Sequence, residues 1–183
     1  MRRILICLLL ISVSCSDEEL EIYNTIGGDF ILHDQFGEEY QLSAHNGKIR
    51  LLFFGFTHCP DICPTTLAEV QEVWQQLNAG EQQQIEILFA SVDPERDSSD
   101  LLRDYLGSFD LPVIGLRGSD AEMLEITAQY ASFYEKVSLD SALRYTIDHS
   151  SQTFVIDRQG EIRGWVTYDQ PPSALLELLN RLL

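Results

Sequence analysis

Two stretches of the chain, "KIRLLFFGF" (48–56) and "IEILFASV" (85–92), are nearly unbroken apolar runs of strand length. Such runs predict strands covered on both faces, as at the centre of a sheet with helices above and below. "PVIGL" (112–116) predicts a third. Between these runs the period lengthens. Leu67, Val70, Trp74 and Leu77 recur at helical spacing, with Pro64 in the first turn, where its missing N–H costs nothing. A second helix is predicted around 101–106, capped by Asp97. A third covers "SDAEMLEITAQYA" (119–131) and opens with a capping box between Ser119 and Glu122. Toward the ends the pattern alternates instead. Phe30, Leu32, Phe36, Tyr40 and Leu42 flank a turn near Gly37 and predict a β-hairpin. "TFVIDRQGEIRGWVTY" (153–168) predicts another, turning at Gln159-Gly160, and "PPSALLELLNRLL" a final helix from about Ser173. The order is hairpin, β, α, β, α, β, α, hairpin, α. It implies an α/β layer fold with a mixed central sheet flanked by helices and an N-terminal hairpin extension.

The first fifteen residues fall outside this pattern. "MRRILICLLLISVSC" has two arginines, a short apolar run and small residues ending at Cys15. The run is shorter than the ~20 apolar residues a spanning helix needs, and it reads as an export signal. It resembles a bacterial lipoprotein signal, in which the cysteine becomes the acylated first residue. Ser14 fits that pattern, while Ser12 replaces the usual aliphatic residue. A plain cleaved signal and an uncleaved anchor are the alternatives. The expected organisation is a lipoprotein-like signal at 1–15, an acidic polar tether at 16–24 and one domain at 25–183. That domain would be exported, face the periplasm of a bacterial cell envelope and be held at the membrane by a lipid on Cys15.

Charge narrows the partners. The whole chain carries a formal charge of −17. Removing 1–15 takes two arginines and no acid, leaving 10 basic against 29 acidic residues, or −19. Such a surface repels phosphate backbones, so nucleic acid is not an expected partner.

The candidate chemistry lies in "FTHCPDICPTT" (56–66), where Cys59 and Cys63 stand four positions apart. A bridge across three residues closes too small a loop to be a useful staple, so the pair points to redox or metal chemistry. The pair follows the carboxyl end of a predicted central strand and opens a predicted helix, where α/β sheets place their ligand sites. Free N–H groups and the partial positive charge of a helix N-terminus favour thiolate over thiol, so one of the two sulfurs should have a lowered pKa. If the helix begins early enough, i and i+4 place both sulfurs on one face. Two thiolates suit Cu(I), or Zn(II) with further ligands. A third donor for copper must come from elsewhere, and four histidines are available: His33, His45, His58 and His149. A lone histidine such as His149 is more often structural than a ligand. The segment "DPERD" (93–97) follows the next strand and reads as a helix cap with a local salt bridge.

Three segments together, "FFGFTHCPDICPTTL", "SVDPERD" and "TIDHSSQTFVID", resemble the Sco/SenC family, with "DFILHDQFG" matching its opening hairpin. The resemblance runs from about Gly28 to the final helix. It implies a thioredoxin-like fold and one copper ion, Cu(I) or Cu(II), bound by the sulfurs of Cys59 and Cys63 and a nitrogen of His149. The implied role is metallochaperone: copper is delivered to the CuA centre of cytochrome c oxidase subunit II. The alternative is thiol–disulfide exchange, with Cys59 and Cys63 as the catalytic residues reducing that subunit or another exported protein. Against a thioredoxin-type catalyst, the spacing is CxxxC rather than CxxC. A disulfide would remove both sulfur ligands, so in an oxidising periplasm either role requires a thiol reductant as a further partner.

Overall fold

The computed structural model describes residues 20–141 and 143–183. The proposed signal, Cys15 and part of the proposed tether lie outside the described residues. Nine strands and five helices follow the order β1 (Ile31–Asp34), β2 (Glu39–Gln41), β3 (Ile49–Gly55), α1 (Ile62–Trp74), α2 (Ala79–Gln82), β4 (Ile85–Ser91), α3 (Ser99–Leu106), β5 (Val113–Arg117), α4 (Asp120–Gln129), β6 (Tyr134–Ser138), β7 (Tyr145–His149), β8 (Thr153–Ile156), β9 (Ile162–Val166) and α5 (Pro172–Asn180), among the described residues. A single 3-10 turn, Leu42–His45, leads into β3.

Seven strands form one mixed sheet in the order β2-β1-β5-β4-β3-β8-β9. β3, β4 and β5 run parallel, and antiparallel pairs extend the sheet on both sides. The two continuous apolar runs become β3 and β4, the central strands. Every residue of β3 is buried, Arg50 included, because its guanidinium is bound by Asn46 Oδ1 and the carbonyls of His45 and Lys48. α1 packs on α5, α5 on β9 and α3 on β5, so helices cover the sheet that the hydrophobic pattern predicts.

β3 ends at Gly55, where a Cβ would meet Phe53 at 2.7 Å and Phe89 at 2.8 Å. Only glycine lets the strand close this tightly on the core before the chain turns outward to the cysteines.

The structure adds the short helix α2, absent from the predicted order, and three further details differ from the sequence reading. α1 starts at Ile62, so Cys59 precedes the helix and shares no helix face with Cys63. α3 is capped by Ser98, whose hydroxyl accepts from the Leu101 N–H, and not by Asp97. The chain between α4 and β8 carries an unpredicted hairpin, β6–β7, paired as a separate two-stranded sheet.

Candidate metal centre

The sulfur side of the site grows from β3 through a turn into α1. Cys59 N–H donates to the Phe56 carbonyl (3.2 Å), which folds the loop back toward the strand end. Asp61 occupies the N-cap position of α1 without a side-chain capping bond. Cys59 Sγ takes that place: it accepts from the Cys63 N–H at 3.4 Å. The two sulfurs therefore converge through a loop that returns its sulfur to the helix N-terminus, rather than through a common helix face.

The imidazole side comes from the last residue of β7. His149 is 9% exposed, and its ring stands edge-on to Phe56 (5.7 Å between centroids) and Phe53 (6.1 Å). Its Nδ1 lies 2.8 Å from the Ser150 carbonyl oxygen. A carbonyl only accepts, so Nδ1 donates to it, and this bond turns Nε2 toward the sulfurs. Nε2 is 3.5 Å from Cys63 Sγ.

Cys59, Cys63 and His149 thus offer three donor atoms that all lie within 4.8 Å of one another. The two sulfurs are not equivalent. Cys63 is fully buried, and burial pushes its thiol pKa far up. Cys59 is half-buried; a hydrogen bond from Cys63 pulls its pKa down to about 4 against the cost of burial, assisted by His149 and backbone N–H groups. The pair presents one accessible thiolate in front of one buried sulfur. A soft donor set of two sulfurs and an imidazole, open on one side, fits a thiophilic ion that must enter and leave.

The other histidines do not join the thiols. His45 is stacked on Tyr40 and lies 2.9 Å from the Glu86 carboxylate. Exposed His58 lies 3.0 Å from Thr57 Oγ1. With Asp93 and Asp97 it forms a second group of potential ligands. Both of those carboxylates are already occupied. Asp97 accepts from the Thr57 N–H (3.0 Å), the Thr57 hydroxyl (2.6 Å) and the Ser91 hydroxyl (2.6 Å). Asp93 accepts from Arg96 Nε (2.5 Å) and the Tyr145 hydroxyl (2.8 Å). This second group is a hydrogen-bond network, and its link to Thr57 and Tyr145 was not readable from local sequence.

The sequence matches the SCO1/SenC family profile over residues 19–183. The SCO2-like protein of Rickettsia conorii is 39% identical over 158 residues, 85% of this chain and 76% of that protein. The copper-bound structure of Bradyrhizobium japonicum ScoI is 37% identical, with 86% of this chain and 99% of that one covered at a TM-score of 0.77. The apo Sco1 structure from Thermus thermophilus is 33% identical, with 88% and 94% covered at 0.78. These likenesses identify the mixed sheet and its flanking helices as the thioredoxin-like fold of Sco proteins. The chain belongs to the SCO1/SenC family.

Proposed function

We propose that the protein is a copper chaperone that holds one copper ion through Cys59, Cys63 and His149 and hands it to the CuA site of cytochrome c oxidase subunit II. The observation that carries this reading is the meeting of two sulfurs and an imidazole nitrogen within 4.8 Å. The copper-bound state of the Bradyrhizobium relative supports the choice of ion. Cu(I) is satisfied by two or three soft ligands, whereas a structural zinc site wants four. Delivery proceeds by ligand exchange. An acceptor thiolate or imidazole enters on the exposed side, and of the two sulfurs half-buried Cys59 is displaced before buried Cys63. In the cell the domain faces an exported compartment, tethered by a lipid on Cys15.

A second reading rests on the asymmetry of the thiols. The accessible Cys59 thiolate attacks a partner disulfide and forms a mixed disulfide. Cys63 then loses its proton and attacks Cys59 Sγ, which releases the reduced partner and leaves a Cys59–Cys63 disulfide for a thiol reductant to restore. The same oxidation removes both sulfur ligands, so copper loading requires the reduced pair.

Anaerobic titration of the reduced protein with copper, followed by metal analysis, separates the two. One tightly held copper per chain, transferable to a CuA-type acceptor, supports the chaperone. No stoichiometric copper, with rapid reduction of an acceptor disulfide, replaces it with thiol exchange.

A further inference from the structure

His149 sits on the least anchored element near the site. Among the described residues β7 pairs only with β6, and neither strand is paired into the seven-stranded sheet. A lone two-stranded ribbon is marginal in water, so its position depends on side-chain ties to the body of the protein. Along β7 the period of two puts Tyr145, Ile147 and His149 on one face, with Ile147 and His149 buried. Holding Tyr145 therefore holds the strand that presents the imidazole.

The tie is Arg96. Its Nη1 donates to the Tyr145 carbonyl (2.9 Å) and the Leu143 carbonyl (3.4 Å). Its guanidinium carbon lies 3.7 Å from the Tyr145 ring centroid and 5.8 Å from that of Phe56, the ring that also meets His149. Fully buried Asp93 braces it by accepting from Arg96 Nε (2.5 Å) and the Tyr145 hydroxyl (2.8 Å), which closes a three-residue ring. One residue further on, buried Asp97 holds Thr57 by both its N–H and its hydroxyl, two positions before Cys59. One five-residue segment thus grips both halves of the site.

We infer that residues 93–97 act as a bracket that sets the imidazole against the sulfurs, with Arg96 the positioning residue that governs how long His149 stays on the metal. The inference rests on the copper site proposed above. Asp97 fixes the thiol loop through Thr57. Arg96, oriented by Asp93, fixes β7 through the carbonyl and ring of Tyr145. A planar fork that also stacks is not replaced by an ammonium, so lysine at 96 restores only part of the grip.

The test is copper release and spectroscopy on the full chain carrying Arg96→Met, Arg96→Lys or Tyr145→Phe, alone and combined with His149→Ala, with hydrogen exchange of the metal-free proteins. Loss of one charge-assisted contact predicts about tenfold faster Cu(II) dissociation in Arg96→Met. Its spectrum should shift toward that of His149→Ala, the β7 amides should exchange faster without metal, and Arg96→Lys should be intermediate. In the His149→Ala background Arg96→Met should add nothing, since the ligand it positions is gone. Tyr145→Phe, which keeps the ring and loses one hydrogen bond, gives a smaller shift of the same kind and serves if Arg96→Met does not fold. Faster exchange with unchanged copper release and spectrum overturns the inference and leaves Arg96 a structural tie. A wild-type protein that takes up no copper overturns instead the copper site itself.

Discussion

The sulfur half and the imidazole half of the site are built to different standards of rigidity. Cys63 lies in the first turn of α1, which follows β3, a strand buried at every position and paired on both sides. His149 ends a ribbon whose other strand, β6, is exposed over four of its five residues. Buried sheet backbone opens only with the whole domain, whereas an edge ribbon opens at lower cost. On the copper-chaperone reading proposed above, this inequality has a use: the sulfurs stay and the imidazole leaves first.

The sharpest way to break the comparison is to remove one donor from each half. Cys63→Ala should abolish stoichiometric copper binding, because Cys59 and His149 alone do not make the soft two-sulfur set. His149→Ala should still take one copper, with affinity reduced at least by the about 10–100-fold that losing an outer partner costs a metal site. Anaerobic titration of both variants against a competing chelator checks this. Equal losses would mean that the two halves hold the ion alike.

Stability should divide in the same way. Phe54 is 1% exposed and stands against the rings of Tyr130 and Phe154, so Phe54→Ala should cost about 3–5 kcal/mol in urea unfolding. Ile147 is also buried, yet its ribbon can settle onto the vacated space, which puts Ile147→Ala near the lower end of the aliphatic range, about 2 kcal/mol. The β6–β7 amides should also exchange well before those of β3 and β4. Identical protection would show the hairpin to be part of the same cooperative unit.

What could be read from sequence follows the same divide. β3 and β4 announce themselves because burial of the central strands leaves only Arg50, Glu86 and the terminal Ser91 as polar interruptions, and the Ser119 capping box is local chemistry that needs no tertiary partner. Cys59 and Cys63 were visible as a pair, but their convergence was assigned to a helix that begins three residues after Cys59. The β6–β7 hairpin gave no signal. β6 reads "YEKVS" with little apolar alternation, and the connection back to β7 uses Arg144 at φ 60° where glycine or asparagine would have marked a turn. His149 was therefore found by resemblance and not by pattern. The cap expected at Asp97 falls to its neighbour Ser98; Asp97 instead accepts from Ser91 and from Thr57, 40 residues away.

The thiols themselves sharpen the contrast through pH. Thiolate is the reactive form, and Cys59 is pulled down to about 4, first by the hydrogen bond from Cys63. Alkylation of Cys59 in the metal-free protein should therefore be nearly flat from about pH 6 to 9, where an ordinary thiol gains about tenfold per unit until its pKa near 8.5. Cys63, pushed the other way by burial, should stay unmodified. In Cys63→Ala the main cause of the depression is gone, and the rate should again climb with pH. Mass spectrometry of timed alkylations reads all three. A pH-dependent rate in the wild type would mean that Cys59 is an ordinary thiol and that its exposure alone sets the order of ligand exchange.

The smallest effect belongs to the outer tie of the hairpin. Lys136 Nζ lies 2.9 Å from Glu95, and both side chains are substantially exposed. Exposed pairs of this kind lose most of their attraction to solvent and salt. Lys136→Ala should leave both the melting temperature and copper release unchanged at physiological ionic strength, with any difference emerging only at low salt. The pair ties the hairpin's other strand, β6, to the same segment 93–97 that Arg96 ties to β7, so it is the internal control for that contact. If Lys136→Ala releases copper as fast as Arg96→Met, net charge between β6 and residues 93–97 holds the hairpin, and the buried fork of Arg96 does not. If it has no effect while Arg96→Met does, burial and geometry decide which tie matters, and the imidazole half is governed by one contact.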